Sequence, residues 1–320
     1  MIFNNMWVIA FLIAFLVCVL LCPMLIPLLH KLKFGQYIRE EGPEAHQKKA
    51  GTPTMGGLIF LLAATLVTLI FCIGNVKALV VLFVTLGFGL IGFLDDYIKV
   101  VKKRNLGLTA LQKMAGLFVI AAVFYVYLAY LSDVGCEIII PFLNGKSINI
   151  GWLFIPFYLL AMLGTVNGAN LTDGLDGLNA SVTSVIAGFF TIVCAVKGES
   201  FGFVPAIMLG VLLAYLIFNA YPAKVFMGDT GSLALGGFVA AMAFMLHMPL
   251  FILLIAIIYL CEVVSVMMQV SYFKITHGKR IFKMTPIHHH FELCGWSEVR
   301  VVTVFTIVTI IGCVIAFAGV

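Results

Sequence analysis

Five carboxylates mark where this sequence could do chemistry. Asp95 and Asp96 close one long apolar run. Asp173 and Asp176 lie in Asn167-Gly-Ala-Asn-Leu-Thr-Asp-Gly-Leu-Asp-Gly-Leu-Asn179, and Asp229 lies in Phe226-Met-Gly-Asp-Thr-Gly-Ser232, each between two apolar runs. Acids at the edge of a membrane span are costly unless paired, hydrogen-bonded or metal-bound, so function is the default reading. Helix capping is the plain alternative, since Asp and Asn satisfy free backbone groups at helix ends. Capping could explain Asn179 or Asp176 singly, but two adjacent aspartates repel and do not improve a cap. Hard oxygen ligands at one depth, beside lysines, suit Mg2+ with a diphosphate, because Mg2+ takes one or two carboxylates and completes its shell with water and phosphate. The matching chemistry is phosphoryl transfer, which needs charge neutralisation, in-line positioning and a deprotonated acceptor. Gly168, Gly174, Gly177, Gly228 and Gly231 would permit tight turns that bring backbone N–H groups to an anion.

A second polar cluster is Met284-Thr-Pro-Ile-His-His-His-Phe-Glu292. Adjacent residues on a regular element cannot all face one metal, and no cysteine or carboxylate has helpful spacing. The histidines therefore read as hydrogen-bonding groups for phosphate or sugar rather than zinc ligands. Glu262, the only acid in the middle of an apolar run, reads as a structural pair with a neighbouring helix. His247 reads as an interfacial residue. Gly87-Phe-Gly-Leu-Ile-Gly92 matches a dinucleotide pattern but sits inside an apolar run with no strand before it; its small residues instead allow close helix packing. The eight cysteines form no CxxC and read as small core residues, without a disulfide framework or zinc site.

These residues need elements to hold them, and the composition says which. The chain has 320 residues, 63% hydrophobic and 10% charged, which points to a membrane protein. About ten apolar runs are long enough to span a bilayer: 7–29, 56–73, 77–95, 113–131, 152–168, 178–196, 203–221, 231–248, 250–272 and 300–319. The expected fold is an all-α polytopic membrane protein forming one domain over 1–320. The first run, without a basic region before it or a cleavage site after it, reads as a retained span. Sixteen of the nineteen basic residues fall in or beside the loops on one side; only Lys77, Lys146 and Lys197 fall opposite. Those loops are expected to be cytoplasmic, with both termini outside. Segment 132–151 is the one sizeable outer loop, and 136–142 with 146–150 could pair as a hairpin.

Taken together, these motifs resemble the polyprenyl-phosphate N-acetylhexosamine-1-phosphate transferases over essentially the full length. The shared elements are Asp95-Asp96, the run Asn167-x-x-Asn170-x-x-Asp173-Gly-x-Asp176-Gly and the loop Asn219 to Asp229. Two further stretches, His46-Gln-Lys-Lys-Ala-Gly-Thr-Pro-Thr-Met-Gly-Gly57 and Pro286-Ile-His-His-His-Phe-Glu292, resemble the branch whose donor is UDP-N-acetylmuramoyl-pentapeptide. The resemblance implies undecaprenyl phosphate as acceptor, Mg2+ as cofactor, UMP as leaving product and the first lipid intermediate of peptidoglycan as product. It also implies a homodimer in the bacterial inner membrane with its site facing the cytoplasm, and no nucleic-acid partner.

Residue by residue, the resemblance gives Asp95 or Asp96, with Asp95 favoured, the task of deprotonating or orienting the lipid phosphate. Asp229 would bind the metal, with Asn170 as a second oxygen ligand. Phe226 would stack on uracil, and Lys49, Thr54, Asn219, Asp173, Gly174 and Asp176 would line the donor pocket. Lys99 and Lys113 are candidates for phosphate, and His288, His289 and His290 for the sugar-phosphate, the last two in the catalytic group. A two-step path through an aspartyl-phosphate is the rival chemistry. The rival functions are a secondary transporter, which would place its acids nearer the midplane, and a sister transferase using UDP-N-acetylglucosamine.

Overall fold

The structure, a computed structural model, describes residues 5–31, 51–102, 107–143 and 145–320. In lipid a backbone must satisfy its own hydrogen bonds, so apolar runs of this length fold as helices. In chain order they are α1 (Asn5–Lys31), α2 (Gly57–Cys72), α3 (Val76–Val101), α4 (Ala110–Val126), α5 (Phe154–Thr172), α6 (Leu178–Lys197), α7 (Phe203–Asn219), α8 (Gly228–Met245), α9 (Ile252–Ile255), α10 (Ile257–Ile275), α11 (Ile287–Leu293) and α12 (Glu298–Phe317). Among the described residues, eight helical segments are long and apolar enough to cross a membrane, while α2 and α7 are shorter apolar helices. The protein is an all-α polytopic membrane protein. The run 250–272 is interrupted at Ala256, between α9 and α10.

Side-chain caps set several helix starts. Asn75 accepts from Ala78 N at α3, and Thr109 and Gln112 form a reciprocal capping box at α4. Ser297 accepts from Arg300 N at α12.

Helix α8 is the axis of the bundle. It packs most extensively on α3 and next on α5, and every residue from Thr230 to Met245 is buried. Small residues allow that closeness. A Cβ at Gly92 of α3 would run into the backbone of Asp229, and one at Gly57 of α2 would run into the backbone of Gly231. The Gly87–Gly92 stretch thus serves helix packing, as its setting implied.

At the end of the bundle remote from Asp229, β1 (Glu137–Ile139) and β2 (Ser147–Asn149) pair antiparallel, Glu137 opposite Asn149. The expected hairpin therefore forms. Ile139 N donates to His247 O at 2.8 Å, and Phe142 N to Gly319 O at 3.4 Å, so the hairpin ties α8's far end to the end of α12.

Candidate active site

The last two turns of α3 carry Asp95, Asp96 and Lys99, and the first turn of α8 carries Asp229. Asp95, Asp96 and Asp229 each offer one carboxylate oxygen, all within 4.8 Å of one another. An acid in the first turn of α8 gains from the helix dipole, whereas two near the C-terminal end of α3 do not. Lysines hold the like charges together. Lys99 Nζ lies 2.9 Å from Asp229 Oδ2, 2.5 Å from Asp95 Oδ2 and 3.7 Å from Asp96 Oδ1. Lys113 Nζ, from the first turn of α4, lies 2.9 Å from the same Asp229 oxygen.

Backbone and amide groups fix the carboxylates further. Asp95 Oδ1 accepts from Leu108 N at 2.7 Å. Asp96 Oδ2 accepts from Thr230 N at 2.9 Å and Thr230 Oγ1 at 2.7 Å, which pins α3 to α8. Asn170, in the last turn of α5, donates through Nδ2 to Asp229 Oδ1 at 2.9 Å and Ser232 Oγ at 2.8 Å. Its Oδ1, the atom a metal would take, accepts from Lys113 at 3.1 Å. Three carboxylates against two ammonium groups leave negative charge uncompensated, and every carboxylate donor is a hard oxygen. That set fits a divalent cation.

Beyond α5 the chain turns through Asp173–Gly177. Loss of water around the partly buried Asp173, then the charges of Asp229, Asp96 and Asp176, push its carboxyl well above the usual carboxylate range. Asp176 Oδ2 accepts from Ala223 N at 2.9 Å, and its own N–H donates to Glu298 Oε1 at 2.6 Å. Neither Asp176 nor Asn179 is a cap, as the simpler reading had allowed: Gly177, at φ 76°, stands at the cap position of α6. Asn179 is fully buried inside α6, donating to Ala169 O at 3.0 Å and accepting from Tyr259 OH at 2.8 Å.

The segment 53–57 lies along the loop before α8. Phe226 N donates to Pro53 O and Gly56 N to Phe226 O, both at 2.8 Å, and Gly57 N donates to Met227 O at 3.0 Å. Phe226 is half-buried at this junction. Thr54 lies beside Asp96 and Gly228, where a Cβ at Gly228 would meet both side chains. Asn219 Nδ2 donates to Val225 O at 2.9 Å, while its buried Oδ1 has no partner. Lys49, with the rest of 46–50, lies outside the described residues.

The three histidines of α11 diverge, each to its own partner. His288 Nδ1 lies 3.0 Å from Glu262 Oε1, and His289 Nδ1 lies 2.8 Å from Glu292 Oε2. His290 Nδ1 accepts from Lys283 N at 3.1 Å, with Cys294 Sγ 3.7 Å from its Nε2. Glu292 and Cys294 sit three and four residues on from His289 and His290, the spacing of one helix face, and each engages a different histidine. Glu262 pairs structurally, as expected, but its partner is a member of the triplet. All eight cysteines are free thiols.

Two glycine readings also change. Gly168 and Gly231 lie within α5 and α8, where they admit Tyr259 and Gly57, rather than presenting N–H groups to an anion. Gly174 makes room for the His288 ring. Sequence reasoning passed over Thr230, Ser232, Tyr259, Gln269 and Glu298. Spacing gave no sign of them, because their partners lie 62 to 134 residues away for Thr230, Ser232 and Glu298.

Residues 78–247 match the sequence model of glycosyl transferase family 4. With the helical bundle and its acid–lysine cluster, this makes the protein an integral-membrane phospho-sugar transferase. Residues 49–61 match phospho-N-acetylmuramoyl-pentapeptide-transferase signature 1. The phospho-N-acetylmuramoyl-pentapeptide-transferase of Acetivibrio thermocellus is 52% identical over 292 residues, covering 90% of this chain and 88% of that protein. That of Clostridium perfringens strain 13 is 54% identical over 294 residues, 91% of each. That of Clostridium beijerinckii is 50% identical over 298 residues, 91% of this chain and 89% of that protein. The chain belongs to the phospho-N-acetylmuramoyl-pentapeptide-transferase family.

Proposed function

We propose that the chain transfers phospho-N-acetylmuramoyl-pentapeptide from its UDP conjugate to undecaprenyl phosphate. The reaction releases UMP and forms the first lipid intermediate of peptidoglycan. The observation that carries this reading is the convergence of Asp95, Asp96 and Asp229 with Lys99 and Lys113 at one end of the bundle. A lipid phosphate at a bilayer surface requires its partner groups at that depth.

Asp95 takes the proton of the acceptor phosphate or orients it. The family resemblance, rather than the contacts, favours Asp95 over Asp96: Thr230 holds one oxygen of Asp96, while Leu108 N and Lys99 hold those of Asp95. The freed phosphate oxygen attacks the sugar-linked phosphorus, and the bond from that phosphorus to UMP breaks. Lys99 and Lys113 exchange part of their hold on Asp229 for phosphate oxygens. Mg2+, held by Asp229 with Asn170 and the adjoining carboxylates, would supply neutralising charge to the donor diphosphate. Phe226 stacks on the uracil, and Asn219 offers its unpartnered Oδ1 to a ring N–H. Thr54, Asp173, Gly174, Asp176 and Lys49 shape the rest of the donor pocket, with His288, His289 and His290 toward the sugar-phosphate. One diphosphate bond replaces another, so the reaction runs readily in both directions.

The protein sits in the bacterial inner membrane as a homodimer with this site facing the cytoplasm. The basic loops beside the site support that orientation. The deciding experiment is a donor competition: purified enzyme, polyprenyl phosphate, and labelled UDP-N-acetylmuramoyl-pentapeptide against UDP-N-acetylglucosamine. Labelled lipid from the first donor alone is expected. Lipid from the second, or none from either, sinks the assignment.

A further inference from the structure

Tyr259, Glu262, Ser265 and Gln269 recur every three or four residues along α10, so they share one face, and all four are buried. A buried polar stripe on a membrane helix marks contact with protein rather than lipid. Tyr259 OH donates to Asn179 Oδ1 of α6, and the Tyr259 backbone presses on Gly168 of α5. Gln269 Oε1 accepts from Ile281 N at 3.1 Å and Phe282 N at 3.0 Å, anchoring the approach to α11. Glu262 lies between them, fully buried, with Oε1 3.0 Å from His288 Nδ1. The other ring nitrogen, His288 Nε2, is buried without a partner, and it is the first atom a Cβ at Gly174 would strike.

We infer that Glu262 is a positioning residue of the site: it holds the proton on His288 Nδ1 and so decides which ring nitrogen faces the Asp173–Gly174 turn. An imidazole's second nitrogen takes its role from the bond the first one makes. A carboxylate accepts, so Nδ1 donates and Nε2 is turned toward the turn. Packing alone does not call for this pair, because a buried hydrogen-bonded pair can often be replaced by apolar groups of the same shape without loss of stability. Helix α10 thus holds the α5–α6 corner at three points: Tyr259 on each arm, and Glu262, through His288, at the tip. The functional consequence rests on the reading of that turn as part of the nucleotide-donor pocket.

The test uses the full-length enzyme in detergent, with UMP release measured while each substrate is varied in turn. Glu262→Ala is expected to lower kcat/KM for UDP-N-acetylmuramoyl-pentapeptide by about ten- to hundredfold, the usual cost of losing a carboxylate that orients a functional histidine. KM for polyprenyl phosphate should not change. Glu262→Gln keeps an oxygen that can accept from Nδ1 and should recover most of the loss. Nitrogen-15 spectra of histidine-labelled protein, with His288→Asn identifying the signal, should show a proton on Nδ1 in the wild type and in Glu262→Gln. Wild-type kinetics in Glu262→Ala, equal loss in both Glu262 variants, or a His288 ring without that proton in the wild type overturns the inference. If Glu262→Ala does not fold, the glutamine variant and the spectra still decide. If no lipid forms from the nucleotide donor at all, the proposed function fails, while the spectra test the pair independently.

Discussion

At Asp229 two lysine ammonium groups meet one carboxylate oxygen, and an amide holds the other. Replacing it with Asn removes the charge that balances Lys99 and Lys113 and one carboxylate of the candidate metal cluster together. Asp229→Asn should lower turnover by at least about a hundredfold, and raising the Mg2+ concentration should not restore it; UMP release across a Mg2+ series checks this. Asp173 yields a prediction of a different kind. Its folded-state carboxyl is raised, so the folded chain keeps a proton that the unfolded chain has released. Its contribution to stability is then greatest in acid and declines as pH rises from the ordinary carboxylate value toward the raised one. Asp173→Asn cannot titrate, so its melting temperature should gain on the wild type as pH rises above the ordinary carboxylate range, measured without added metal. Most of the site was legible in the sequence because membrane-edge acids are costly and therefore conspicuous. The partners were not, because Thr230, Ser232 and Glu298 carry hydroxyls and carboxylates that look like ordinary helix-start residues until the bundle closes.

Helices place these groups, and glycine decides how closely they cross. At Gly92 a methyl group has no room, since the Asp229 backbone fills the space; at Gly164 of α5 nothing lies within 4 Å of an added Cβ. Gly92→Ala should destabilise by about 1–3 kcal/mol and lower UMP release by moving Asp229. Gly164→Ala should be neutral, or stabilising by up to about 1 kcal/mol, because helical glycine carries an entropic cost. Melting curves in detergent with parallel activity assays separate the two. The helical runs and the hairpin were readable from apolar length and alternation. The interruption at Ala256, the short α11 and the burial of α8 were not, since each depends on which neighbour a helix meets rather than on its own pattern.

Across the whole molecule, the distribution of basic residues makes a prediction of sidedness. Cys294 is exposed beside α11, and Cys136 is partly exposed before the hairpin. With the basic loops inside, a membrane-impermeant maleimide should label Cys294 only in inside-out vesicles and Cys136 only in right-side-out ones, each tested in a single-cysteine variant. Labelling of both from one side would reject the topology.

The helix that carries Asp229 has protein on every side, and it is the least apolar of the eight candidate spans. Such a segment has little to gain by partitioning into lipid alone. During biogenesis it must leave the translocon together with companions already waiting, α3 foremost. Fused by itself into a reporter, it should therefore integrate poorly, and co-synthesis with the preceding helices should rescue it. Assembly of the acid–lysine cluster and insertion of its central helix would then be the same event.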